Sequence, residues 1–120
     1  RRLAQARRTH PGGMSQRALG VALGLDEDVA APRINRYERA VHAPDTQTLL
    51  DLAAALDVPA GFLVTEDDAL AEAILGFARL PKAKQKAILA AISDALGPKR
   101  AEEVRARLGS LGDGGPAKQA

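Results

Sequence analysis

"PRINRYERAVHAPD", residues 32–45, sets Arg33, Arg36 and Arg39 within seven positions, beside Tyr37, one of only three aromatic residues in the chain. Wound as an α-helix at 3.6 residues per turn, the stretch puts Ile34, Tyr37 and Val41 on one stripe and Asn35, Arg36 and Arg39 on the other. One stripe can pack while the other meets solvent or a partner. Pro32 suits a first helical position, where its missing N–H costs nothing, and Pro44 forbids a long continuation. The expectation is therefore a short helix over about 32–41. Its guanidiniums are either a solvated face or readers of phosphates and base edges, and the flanking sequence has to decide between the two.

Working outward, the segments on either side also read as helices. Residues 3–9 form a first helix, ended by "HPGG". In "SQRALGVALG", Ser15 is an N-cap, Ala18, Leu19, Ala22 and Leu23 face inward, and Gly24 is the stop. "LDEDVAA" connects to the arginine helix. Next comes Asp45 as the N-cap of a helix with Leu49, Leu52, Ala53 and Leu56 in register and a stop at Pro59, followed by a short fifth helix in "PAGFLV". From Asp67 the helices lengthen: "DDALAEAILGFARL" and "KAKQKAILAAISDAL" are amphipathic, and a third follows at about 99–109. Leu70, Ile74 and Phe77, with Ala87, Ile88, Ala91, Ile92 and Ala95, exceed what one thin helical layer buries, so packing on the first domain, on a second subunit, or on both is expected.

The composition agrees with an all-α chain. Of 120 residues 46% are hydrophobic, mostly Ala and Leu, and no stretch alternates polar and apolar residues as a strand would. There is no cysteine, hence no disulfide framework and no thiolate metal site, and no apolar run of about 20 residues that would span a membrane. A cytoplasmic, nucleoid-associated location fits. The chain opens on Arg1 rather than Met, so further native residues are expected before it. The net charge of +2 conceals a pattern: residues 1–42 hold eight Arg against four acids, residues 43–80 one Arg against seven acids, and residues 81–120 eight basic residues against four acids. A basic block beside an acidic one suits an oriented nucleic-acid binder, or a dipolar surface without that role.

The ordered set "SQRALG", Gly24, "INRYE", Pro44 and "LLDLAAALDVPAGFL" resembles the helix-turn-helix domain of the phage repressor and Cro type, over about residues 2–65. The resemblance implies a five-helix domain whose second helix crosses the DNA backbone while the arginine helix enters the major groove. It implies base contacts from Arg33, Asn35 and Arg36, with the fork of Arg36 suited to guanine O6 and N7 and Asn35 suited to adenine or a phosphate. It implies phosphate contacts from Gln16, Arg17, Arg39 and His42, and a structural ion pair between Arg7 and Glu38. Two departures stand out. The span from Gly24 to Tyr37 is about four residues longer than usual and carries Asp26, Glu27 and Asp28; Ala40 stands where the family often has Gly at a left-handed stop.

The expected organisation is a DNA-binding domain at 1–65, a C-terminal helical region at 66–110 that dimerises, and a disordered tail at 111–120. The expected function is a sequence-specific transcriptional regulator, a repressor, that binds an inverted repeat of double-stranded DNA as a homodimer. The rival is an interaction module, an antitoxin or adaptor, that keeps the fold but recruits protein. An enzyme is not expected: His10 and His42 lie in loops, no Gly-rich loop has phosphate-cradle spacing, and "EDD" at 66–68 reads as a helix start rather than a metal site. No cofactor or metal is implied. About 45 C-terminal residues leave little room for a small-molecule pocket, so no effector is expected.

Overall fold

In the computed structural model, which describes residues 1–109, eight helices and no strand occur among the described residues. The chain divides into two compact units, Arg1–Arg79 and the part from Leu80 onward. The first unit holds α1 (Arg2–Arg8), α2 (Gln16–Ala22), α3 (Glu27–Glu38), α4 (Thr46–Leu56), α5 (Ala60–Val64) and α6 (Asp68–Arg79). The second holds α7 (Lys82–Leu96) and α8 (Pro98–Leu108). No helix among the described residues is long and apolar enough to cross a membrane. The tail expected at 111–120 lies outside the described residues.

The first unit closes around Leu19, Ile34 and Leu52, all fully buried, with Ala6, Leu56, Phe62 and Ala71 beside them. Each of α1 to α6 thus contributes a core residue, and truncating any of the three central side chains to Ala is worth about 2–5 kcal/mol. α6 docks through Ala71, Ile74 and Leu75, whereas Leu70, expected on the same face, is exposed.

The helix ends follow local chemistry. Ser15 Oγ accepts the Ala18 N–H at 2.9 Å and an Asp45 carboxylate oxygen accepts the Thr48 N–H at 2.8 Å, so α2 and α4 are capped by their side chains. α2 and α3 end alike. After α2, the Leu25 N–H reaches the Gly20 carbonyl and the Gly24 N–H the Val21 carbonyl; after α3, Val41 and Ala40 make the same pair of bonds to Arg36 and Tyr37. This geometry needs a left-handed residue. Gly24 supplies it at φ 91°, but Ala40 adopts φ 60° despite its Cβ.

Three sequence expectations need correction. The arginine helix does not start at Pro32 or run to Val41; it spans Glu27–Glu38 with Pro32 inside it. Asp26 is extended, its carbonyl accepts the N–H groups of Val29 and Ala30, and Glu27 and Asp28 favour the positive end of the helix dipole. A mid-helix proline costs about 3 kcal/mol, and the full burial of Ala30 and Ile34 on either side offsets it. Val41 consequently falls beyond the left-handed turn and is 60% exposed rather than packed. On α2, Ala18 and Ala22 face solvent, and the buried face is Leu19 and Gly20.

At Gly20 the backbones of α2 and α3 approach closely. A Cβ there would lie 2.5 Å from Ala30 Cβ, 2.7 Å from its Cα and 2.9 Å from its carbonyl oxygen, so backbone would have to move. Gly20→Ala should therefore lower the unfolding free energy by about 2 kcal/mol despite its better helix propensity, whereas Ala40→Gly should raise it by about 1 kcal/mol, both read from urea denaturation midpoints.

Candidate nucleic-acid interface

Two faces of α3 carry opposite chemistry. Its inner face is Ala30, Ile34, the half-buried Tyr37 and the buried side chain of Glu38. At 100° per residue the opposite face is Asp28, Pro32, Arg36 and Arg39, with Asn35 and Val29 flanking it. Arg36, Arg39, Pro32 and Asp28 are exposed, and none of these three charged side chains has an ion-pair partner among the described residues.

Glu38 is the exception to that outward charge. Its side chain is 6% exposed and accepts Arg7 Nε at 2.5 Å, Arg7 Nη2 at 3.1 Å and Gln16 Nε2 at 2.9 Å. Arg7, itself 12% exposed, also donates to the Met14 carbonyl at 3.1 Å. Burial pushes the Glu38 carboxyl up, but the hydrogen bonds from Arg7 and Gln16 and the charges of Arg7 and Arg8 outweigh it and hold the group below its ordinary value. The same hydrogen bond raises Arg7 against the opposing effect of burial. One carboxylate thus joins α1, the start of α2 and the last turn of α3.

The remaining candidate contacts lie around this network. Arg17 and His42 are exposed, Gln16 and Asn35 half-buried, and Arg33 exposed on the flank of α3. Arg17 Nη2 pairs with Glu27 Oε1 at the start of α3, an exposed pair worth well under about 1 kcal/mol that a competing phosphate can displace. Gln16 is occupied by Glu38 through its amide nitrogen.

Arg2 was not singled out by sequence. Its side chain is 7% exposed, donates to the carbonyls of Thr65 at 2.7 Å and Glu66 at 2.9 Å and to Asp68 Oδ1 at 2.7 Å, and lies 5.5 Å from the Phe62 ring centroid. It ties the N-terminal helix to the junction of α5 and α6.

A family model described as helix-turn-helix matches residues 3–63, which is α1 through α5. The chain belongs to the helix-turn-helix family of phage repressor and Cro type. Among solved structures, the crystal structure of the transcriptional regulator BswR is similar to it, at 40% identity over 76% of this chain and 88% of that one, with a TM-score of 0.70. No curated protein matches the chain. In helix-turn-helix terms α2 and α3 are the paired helices, Leu23 to Asp26 is the turn, and α3 is the recognition helix.

The Glu38 network makes stability depend on pH with a definite sign. Because folding lowers this carboxyl's pKa, its contribution is full above the unfolded value of about 4.3 and is lost as pH falls through the lower folded value. Glu38→Ala should cost about 3 kcal/mol at neutral pH by leaving Arg7 buried and unpaired. The gap from the parent protein should narrow below about pH 4, as followed by denaturation at a series of pH values.

Proposed function

We propose that the chain is a DNA-binding transcriptional regulator that binds an inverted repeat as a homodimer, α3 lying in the major groove, and represses by occupying its site. The observation that carries this reading is the sorting of charge on α3: the carboxylate of Glu38 is turned inward and neutralised, while Arg36 and Arg39 stand outward without ion-pair partners among the described residues. A surface so arranged favours an anionic partner that fits a helix, which the major groove does.

In this reading Arg36, Asn35 and Arg33 contact base edges, and Arg39, His42, Arg17 and Gln16 contact phosphates. Gln16 keeps its amide nitrogen on Glu38, and Arg17 exchanges Glu27 for a phosphate oxygen. Residues 1–65 bind DNA and the region from residue 66 dimerises, chiefly through α7 and α8. Supporting that division, Ile88, Leu89 and Ile92 on α7 and Val104 and Leu108 on α8 are all at least 42% exposed, and Ala101 is the single buried residue of the two helices. A dimer places its half-sites about 34 Å apart or at multiples of that.

Selection from random duplex DNA, with the winning sequence titrated at several salt concentrations, tests the reading. An enriched inverted repeat with a steep negative salt slope is expected; no enrichment would instead favour recruitment of a protein partner. Arg36→Ala should weaken the selected site by about 1–3 kcal/mol and relax the preference at one base pair. Arg39→Ala should weaken all sequences alike and reduce the salt slope by about 1.

A further inference from the structure

We infer that Asp28 is a base-reading residue that selects cytosine in the same half-site where Arg36 selects guanine. The assignment rests on the proposal above that α3 enters the major groove. Because α3 starts at Glu27, Asp28 belongs to the recognition helix, one turn before Pro32 and two turns before Arg36 on the same outward face. About 12 Å of helix separates Asp28 from Arg36, which keeps both within reach of one half-site.

Three acids crowd this end of α3, yet their situations differ. Asp26 is the extended N-cap residue, outside the helix, and Glu27 is held by Arg17. Asp28 alone lies in line with Pro32 and Arg36, exposed and without an ion-pair or hydrogen-bond partner for its side chain among the described residues. Having no N–H, Pro32 cannot give the Asp28 carbonyl the usual bond from four residues on.

A carboxylate facing a polyanion lowers affinity unless it meets a donor. In the major groove, guanine offers N7 and O6 and thymine O4, all acceptors, and adenine sets its N7 acceptor beside its amine. Cytosine alone carries an amine with no acceptor on the same base. Asp28 is therefore disfavoured at guanine and thymine, meets N7 beside the amine of adenine, and is matched best by cytosine N4, so it acts as much by exclusion as by attraction.

The test is selection from random duplexes with the full chain and with Asp28→Asn and Asp28→Ala, both at an exposed position that should leave the fold intact. The parent should enrich a cytosine at a position where Asp28→Asn enriches adenine, whose N6 and N7 suit an amide, and where Asp28→Ala shows no preference. Each variant should bind the parent's site about tenfold more weakly, while the guanine preference that Arg36→Ala erases stays unchanged. If both variants select the parent's sequence, or bind every sequence more tightly by the same factor, Asp28 is only an electrostatic brake and the assignment fails with α3 still the reader. If the parent enriches nothing, DNA reading itself fails and takes this assignment with it.

Discussion

A carboxylate removed from water has to be neutralised where it lies, and Glu38 is neutralised by residues from two other helices. Arg7 reaches it from α1 with two hydrogen bonds, Gln16 adds a third from the first turn of α2, and Arg7 in turn holds the Met14 carbonyl of the intervening loop. Removing either charge would strand the other in a nearly dry site, so the last turn of α3 cannot rotate independently of α1 and α2. With that turn fixed, the direction of every other α3 side chain follows from helical geometry. Arg36 and Arg39 point outward because Glu38 and Ile34 point in.

The other end of α3 is fixed by contact rather than charge. Gly20 lets the α2 and α3 backbones approach until no Cβ fits between them, and Ala30 fills what space remains. Two anchors of different physical kind, one steric near the start and one ionic at the end, thus bracket a helix with a proline at its centre. Ile34, fully buried between the anchors, adds the packing that keeps α3 continuous through Pro32. Rigidity matters for a recognition helix, because side-chain contacts to base edges discriminate only if the backbone that carries them does not adjust to the wrong base.

The sequence conveyed what depends on local chemistry. Ser15 and Asp45 as caps, Gly24 as a left-handed stop, and the registers of Leu19, Leu52 and Leu56 are local signals, and the structure carries each of them. The start of α3 is hidden in the sequence because proline is a strong first-turn signal, which outweighs the competing signal of Asp26 followed by two acids. Val41 falls outside the packed stripe because the chain turns left-handed at Ala40, a turn that the resemblance places there but that the alanine itself, unlike a glycine, does not signal. Gly20 and Arg2 were illegible in principle. A glycine inside a helix and an arginine in the first turn of another acquire their roles only from Ala30 and from Thr65, Glu66 and Asp68, partners that tertiary structure brings to them.

The two units differ in how they satisfy their apolar surface. The first closes a core with residues from six helices, α6 among them, and leaves the arginine-bearing outer face of α3 free. The second has two helices that bury one alanine between them and leave five large aliphatic side chains largely open to solvent. At roughly 25 cal/mol per Å² of apolar surface removed from water, that pair gains little from folding alone and much from being covered. Under the proposed dimer, association is therefore also the step that stabilises the second unit, and the concentration at which copies pair governs both its folding and the presentation of two recognition helices. On the proposed function, sequence recognition and assembly draw on separate surfaces: a change on α3 would alter which DNA is bound, and a change on α7 or α8 would alter how much protein is competent to bind it.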